Sequence, residues 1–204
     1  MQNGRIINKS KFIYLIILLF FVPSVLLGQD WVERSKAFKT ISISAHYLQN
    51  SNRNMFHNYW KPANGIDLNG ESEFYFGKIE LGTQIFSVKA RKIEQPDFVA
   101  VNMYIGWGLE YKILSKLDIY SGFQVSNYYM NFDDDKIDVN LKSESEFSFG
   151  LKTGLKYNIG KSLFVDVSGY YQVIYTYHRI ELLYISVGLG KTFETPKWLR
   201  EFLN

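Results

Sequence analysis

The sequence predicts an all-β chain, an eight-stranded antiparallel up-and-down transmembrane β-barrel. Three observations carry this. Apolar and polar residues alternate with period two from about residue 38 to 193, where the three- and four-residue spacing of a helix is not sustained. Past residue 28 no stretch approaches 18 consecutive apolar residues, so no helical span is available after the start of the chain. Yet the chain carries 16 Phe, 15 Tyr and 4 Trp, a content that suits strands whose apolar residues are dispersed at every second position.

The elements follow in order. Residues 1–28 place Arg5, Lys9 and Lys11 ahead of an apolar run from Phe12 to Leu27, with Gly28 at a plausible cleavage point. This is the layout of a secretory signal peptide read by the Sec pathway, and Pro23 interrupts the run too early for a comfortable membrane span. Its removal takes the balance from 23 basic and 20 acidic residues to 20 and 20, since three basic and no acidic residues leave. The basicity therefore belongs to the targeting segment, and a nucleic-acid partner loses its electrostatic support. There is no cysteine, which excludes disulfides, thiolate chemistry and a lipid-modified cysteine.

Residues 29–37 form a short periplasmic segment, in which Asp30 and Glu33 have capping-box spacing. The barrel occupies 38–193. Its strands are expected at 38–49, 65–76, 79–90, 99–113, 117–129, 145–158, 162–177 and 182–193. The fourth is the clearest: Val99, Val101, Met103, Ile105, Trp107, Leu109, Tyr111 and Ile113 alternate with Ala100, Asn102, Tyr104, Gly106, Gly108, Glu110 and Lys112. In the third, Phe86 and Val88 blur the facing of the far end. Residues 194–204 are a C-terminal amphipathic tail, where Thr195 and Pro196 start a helix that sets Trp198 and Phe202 four apart. The tail and the segment before the barrel are expected at the inner interface or under the barrel.

Links two, four and six are short, and the odd-numbered ones are generally longer, apart from the brief last one. Bacterial outer-membrane barrels have this asymmetry, with short periplasmic turns and longer outside loops. The faces decide the solvent. One face carries Glu71, Glu73, Glu110, Lys112, Asp118, Lys152, Lys156 and Asp166 among glycines such as Gly106, Gly150, Gly154, Gly188 and Gly190. Small residues fit the crowded inside of a narrow closed barrel, so the charges point inward and the apolar face meets lipid.

On these features the chain resembles the small eight-stranded outer-membrane β-barrels of Gram-negative bacteria, the OmpA-like and PorT-like group, over about Phe38 to Phe193. The stretch "VGLGKTF", Val187 to Phe193, resembles the aromatic-ended strand that the barrel assembly machinery recognises in that family, with Lys191 where an apolar or aromatic residue is usual. The resemblance implies a monomeric outer-membrane protein in contact with outer-membrane lipids and lipopolysaccharide. It also implies a structural or loop-mediated binding role, without catalysis, cofactor or metal.

No motif specifies chemistry. His46 shares a face with Ser42 and Ser44, and His178 lies near Glu181; either histidine would serve as base if the barrel were a lipid hydrolase or deacylase. A soluble periplasmic lipocalin-like binder is the reading if the faces are inverted. The acidic run with Asp133, Asp134, Asp135 and Asp138 lacks the glycine turn and terminal glutamate of a calcium loop. The first long loop gathers Arg53, His57, Tyr59, Trp60 and Lys61, basic and aromatic residues suited to lipopolysaccharide phosphates or a glycan. Interior charges of both signs are expected to pair and to plug the barrel, because eight strands leave room only for side chains.

Overall fold

A computed structural model describes residues 37–92, 95–133 and 142–203. The predicted signal peptide, most of the segment that follows it and most of the acidic fifth loop lie outside those residues. Eight strands run in order: β1 (Thr40–Asn50), β2 (Trp60–Phe74), β3 (Gly77–Ala90), β4 (Asp97–Leu114), β5 (Leu117–Asp133), β6 (Ser143–Asn158), β7 (Leu163–Ile174) and β8 (Ile180–Glu194). Each pairs antiparallel with the next, and β8 returns to β1 from Thr40 opposite Glu194 to Asn50 opposite Tyr184. The sheet is a closed barrel, so its edges disappear and the backbone is satisfied internally, as a bilayer requires.

The links fall into the expected two classes. At the end carrying both strand termini they are residues 75–76, 115–116 and 159–162; the first is held by Tyr75 in the left-handed region at φ 50°. The other end carries the longer loops. Helix α1 (Lys197–Leu203) follows the last strand, tied back by the Thr195 N–H donating to the Lys39 carbonyl, and leaves Trp198 and Phe202 exposed.

Three strand boundaries depart from expectation by three residues or more. β2 begins at Trp60, five residues before the predicted start, because a register shift between Pro62 and Gly65 absorbs the proline and lets pairing continue to Trp60 opposite Ala90. β7 ends at Ile174 rather than at 177, and β5 extends to Asp133.

The outside is an apolar belt: Ile43, Leu68, Leu81, Ile105, Leu155, Val187 and Leu189 are all exposed. Aromatic residues rim it at both ends, with Phe76, Tyr111, Tyr157 and Phe193 at the short-turn end and Tyr47, Tyr129, Phe147 and Tyr175 at the other. A surface this apolar is stable only against lipid. Inside, large rings sit over glycines of the neighbouring strand: Tyr104 over Gly82, Tyr120 over Gly154, Phe164 over Gly190. The pairing of large with small lets side chains fill a narrow barrel.

Candidate functional site

The interior divides into two halves. Toward the short-turn end it is ionic. The Lys78 ammonium lies 2.8 Å from Glu110 and 3.3 Å from Glu71, and Lys156 joins the same two carboxylates, 2.8 Å from Glu110. Lys152 lies 2.7 Å from Glu80, which also accepts from Gln124 at 3.0 Å and from the Tyr104 hydroxyl at 3.2 Å. A small hollow of about 40 Å³ lies among Glu71, Lys78, Glu80, Glu110 and Lys152. Farther in, His46 stands between two buried carboxylates, its Nε2 3.4 Å from Asp166 and its Nδ1 3.8 Å from Asp67. Each of these aspartates also accepts a tyrosine hydroxyl at 2.9 Å, Asp67 from Tyr104 and Asp166 from Tyr120.

Toward the long-loop end the interior is apolar, which corrects the expectation of a polar core throughout. Leu48, Phe86, Val88, Phe98, Met130, Ile174 and Leu182 are buried there with Tyr128, Tyr170 and Tyr184. Phe86 stacks on Tyr184 at 4.8 Å. The residues that blurred the pattern of the third strand thus face inward and form a hydrophobic seal across the barrel.

The third feature is a basic surface at the long-loop end. A single 3-10 turn, Met55–Asn58, is capped by Asn54, whose Oδ1 accepts the Phe56 N–H at 3.1 Å. His57 Nε2 lies 2.8 Å from Asn50 Oδ1, and with the proton there Nδ1 accepts the Asn54 N–H at 3.1 Å. Nδ1 is also 2.9 Å from Asn54 Oδ1, a bond that requires the proton on Nδ1. Burial, and then the positive charges of Arg91 and Arg53, hold the imidazole below its usual range and favour the neutral form. Trp60 stacks on Phe56 at 5.4 Å and donates its indole N–H to the Pro96 carbonyl at 3.0 Å. The Arg91 N–H donates to the Tyr59 carbonyl at 2.8 Å, and the Lys92 ammonium lies 5.1 Å from the centre of the Tyr59 ring. These contacts join the first loop to the second.

No family model matches the chain, and no curated protein does. Solved structures do. Neisserial surface protein A superposes with a TM-score of 0.56 at 12% identity, over 76% of this chain and 97% of that one. The N-terminal β-barrel domain of Pseudomonas aeruginosa OprF gives 0.51 at 12% identity, over 77% and 99%. The attachment invasion locus protein Ail of Yersinia pestis, in complex with the heparin analogue sucrose octasulfate, gives 0.51 at 16% identity, over 76% and 98%. By fold the chain is a small eight-stranded outer-membrane β-barrel.

The barrel sorts the five residues singled out in the sequence. Arg53, Tyr59 and Lys61 are exposed, with Lys61 on strand β2 rather than in the loop, whereas His57 and Trp60 hold the loop's own structure. Lys89, Arg91 and Lys92 belong to the same surface and escaped the sequence reading, although "KARK" at 89–92 is a visible basic run. Lys61 pairs laterally with Lys89, and Asp97 neutralises Lys89 at 2.8 Å. The hydrolase candidates separate: Ser44 donates to Asn69, Ser42 bonds Thr192, and His46 faces the two aspartates. Glu181 pairs with Arg179 rather than with His178.

Proposed function

We propose that the protein is an integral outer-membrane barrel that works through its loop end, where a basic and aromatic surface binds anionic sugars such as the phosphorylated core of lipopolysaccharide. It is read as monomeric, non-catalytic, and inserted by the barrel assembly machinery. The observation that carries the reading is the gathering of exposed Arg53, Tyr59, Lys61, Arg91 and Lys92 on the first two loops and the adjoining start of β2, with the Lys92 ammonium over the Tyr59 ring. Guanidinium groups suit phosphate and sulfate oxygens, and a ring beside them suits a sugar face. The sulfated ligand of the Ail structure supports it by likeness of fold and of ligand charge.

The test is binding of the purified barrel to immobilised lipopolysaccharide and to heparin across a salt series. Wild type should bind both, and the triple variant Arg53→Ala, Arg91→Ala, Lys92→Ala should bind about tenfold or more weakly, since a charge-assisted contact contributes about 1.5–3 kcal/mol. Equal binding by the triple variant, with its heat-dependent gel shift intact, would sink the proposal.

A further inference from the structure

Lys191 is unexplained by the barrel and by the loop surface. It lies on the outward face of β8, in a lateral row that runs from Leu163 through Lys191 and Ile43 to Gly70 and Leu81. Its neighbours in that row are apolar or glycine, so a charge faces lipid three residues before the strand ends at Glu194. Its ammonium lies 5.1 Å from the centre of the Phe193 ring. A long side chain near the end of a membrane strand reaches toward the headgroups, and this end is the short-turn, periplasmic one.

Beside Lys191 the apolar belt is indented. A shallow depression, open along its whole length to the outside, is bordered by Ile43, Leu68, Gly70, Leu81 and Leu189. Packing does not force it: a Cβ on Gly70 would meet nothing nearer than the Ser42 carbonyl, 3.9 Å away. A glycine inside a strand weakens it and contributes no side chain, and the outward Gly70 leaves room above it for another group to pack.

We propose that Lys191 and this hollow form a binding site for one anionic glycerophospholipid of the periplasmic leaflet, with the phosphate on the Lys191 ammonium and an acyl chain in the hollow over Gly70. The charge complements the headgroup, the hollow takes the chain, and both open on the same leaflet. The site is at the opposite end of the barrel from the loop surface and does not depend on the function proposed for that surface.

The experiment is native mass spectrometry of the purified protein released from micelles containing phosphatidylglycerol, phosphatidylcholine or lipid A. Wild type should retain a single phosphatidylglycerol about fivefold to tenfold better than phosphatidylcholine, the increment expected of one lysine near an anionic headgroup. Lys191→Leu should erase that preference and Lys191→Arg keep it, while Gly70→Leu, which fills the hollow, should lower retention of phosphatidylglycerol. Lys191→Gln gives the same reading if leucine disturbs folding, as judged by the heat-dependent gel shift. Equal retention of the two phospholipids, undiminished phosphatidylglycerol on the folded Lys191 variants, or stronger retention of lipid A would each overturn the proposal.

Discussion

At the scale of single residues, the inside of the barrel is decided by close approach. Gly188 stands directly opposite His46, and a Cβ there would collide with the imidazole ring, which is wedged between Asp67 and Asp166. Gly188→Ala should therefore push His46 off its carboxylates and destabilise the barrel by about 1–3 kcal/mol, the usual cost of overfilling a packed site. A shifted urea midpoint of folding would register it; an unchanged midpoint would mean that the ring has room to move. His57 titrates in a different setting, at the loop end outside the membrane. Its folded pKa lies below the unfolded value of 6.5, so its contribution to stability is fully present above that pH and is lost as pH falls through the folded value. Protonation also removes the acceptor for the Asn54 N–H. The ring titration followed by NMR should give a midpoint below 6.5, and a higher one contradicts the account.

At the scale of elements, each strand presents two solvents at once, and a change costs according to the face it lands on. Val187, midway along β8, faces lipid and is half exposed. Val187→Arg should cost about 2–4 kcal/mol of folding free energy in a bilayer, the penalty for a cation near the midplane. An effect below about 1 kcal/mol would place Val187 near an interface instead, where the penalty falls off. The first loop is held by its cap: Asn54 bonds Phe56 through Oδ1 and the Glu181 carbonyl through Nδ2. Asn54→Ala should loosen that loop by about 1 kcal/mol, the typical contribution of a capping side chain. Faster amide exchange confined to residues 54–58 would show it, whereas protection equal to wild type would show that Phe56 and Trp60 hold the turn without the cap.

At the scale of the whole molecule, the interior is ionic at one end and apolar at the other. The stack of Phe86, Tyr184 and Tyr170 packs with Leu48, Met130 and Ile174 in the long-loop half. Wild type in a planar bilayer should show no steady conductance. The double variant Phe86→Ala, Tyr184→Ala should open brief or sustained current steps if the seal is what blocks ions. Porin-sized steady current through the wild type would show that the loop-end seal is displaced in a membrane.

The sequence by itself determined that this chain is a barrel and which way its faces turn. Period-two alternation is a local property, and Ile105 beside Gly106 or Val187 beside Gly188 is readable without knowing any partner strand. The loop patch was half legible. Arg53, Tyr59 and Lys61 could be found because they are close in sequence, whereas Arg91 and Lys92 join them only because β2 pairs with β3 as far as Trp60. Pro62 concealed that extension, since a proline without an N–H reads as loop until a bulge is seen to absorb it. The seal was illegible for a related reason. Phe86, Val88, Leu182 and Tyr184 break an alternation that otherwise sends apolar residues to lipid, and only barrel closure, which brings β3 against β8 across the interior, gives four apolar side chains of inward parity one another for company. Facing is set by the pleat of each strand, and composition of the core is set by which strands meet across it; the first is written along the chain, and the second exists only once the chain has closed.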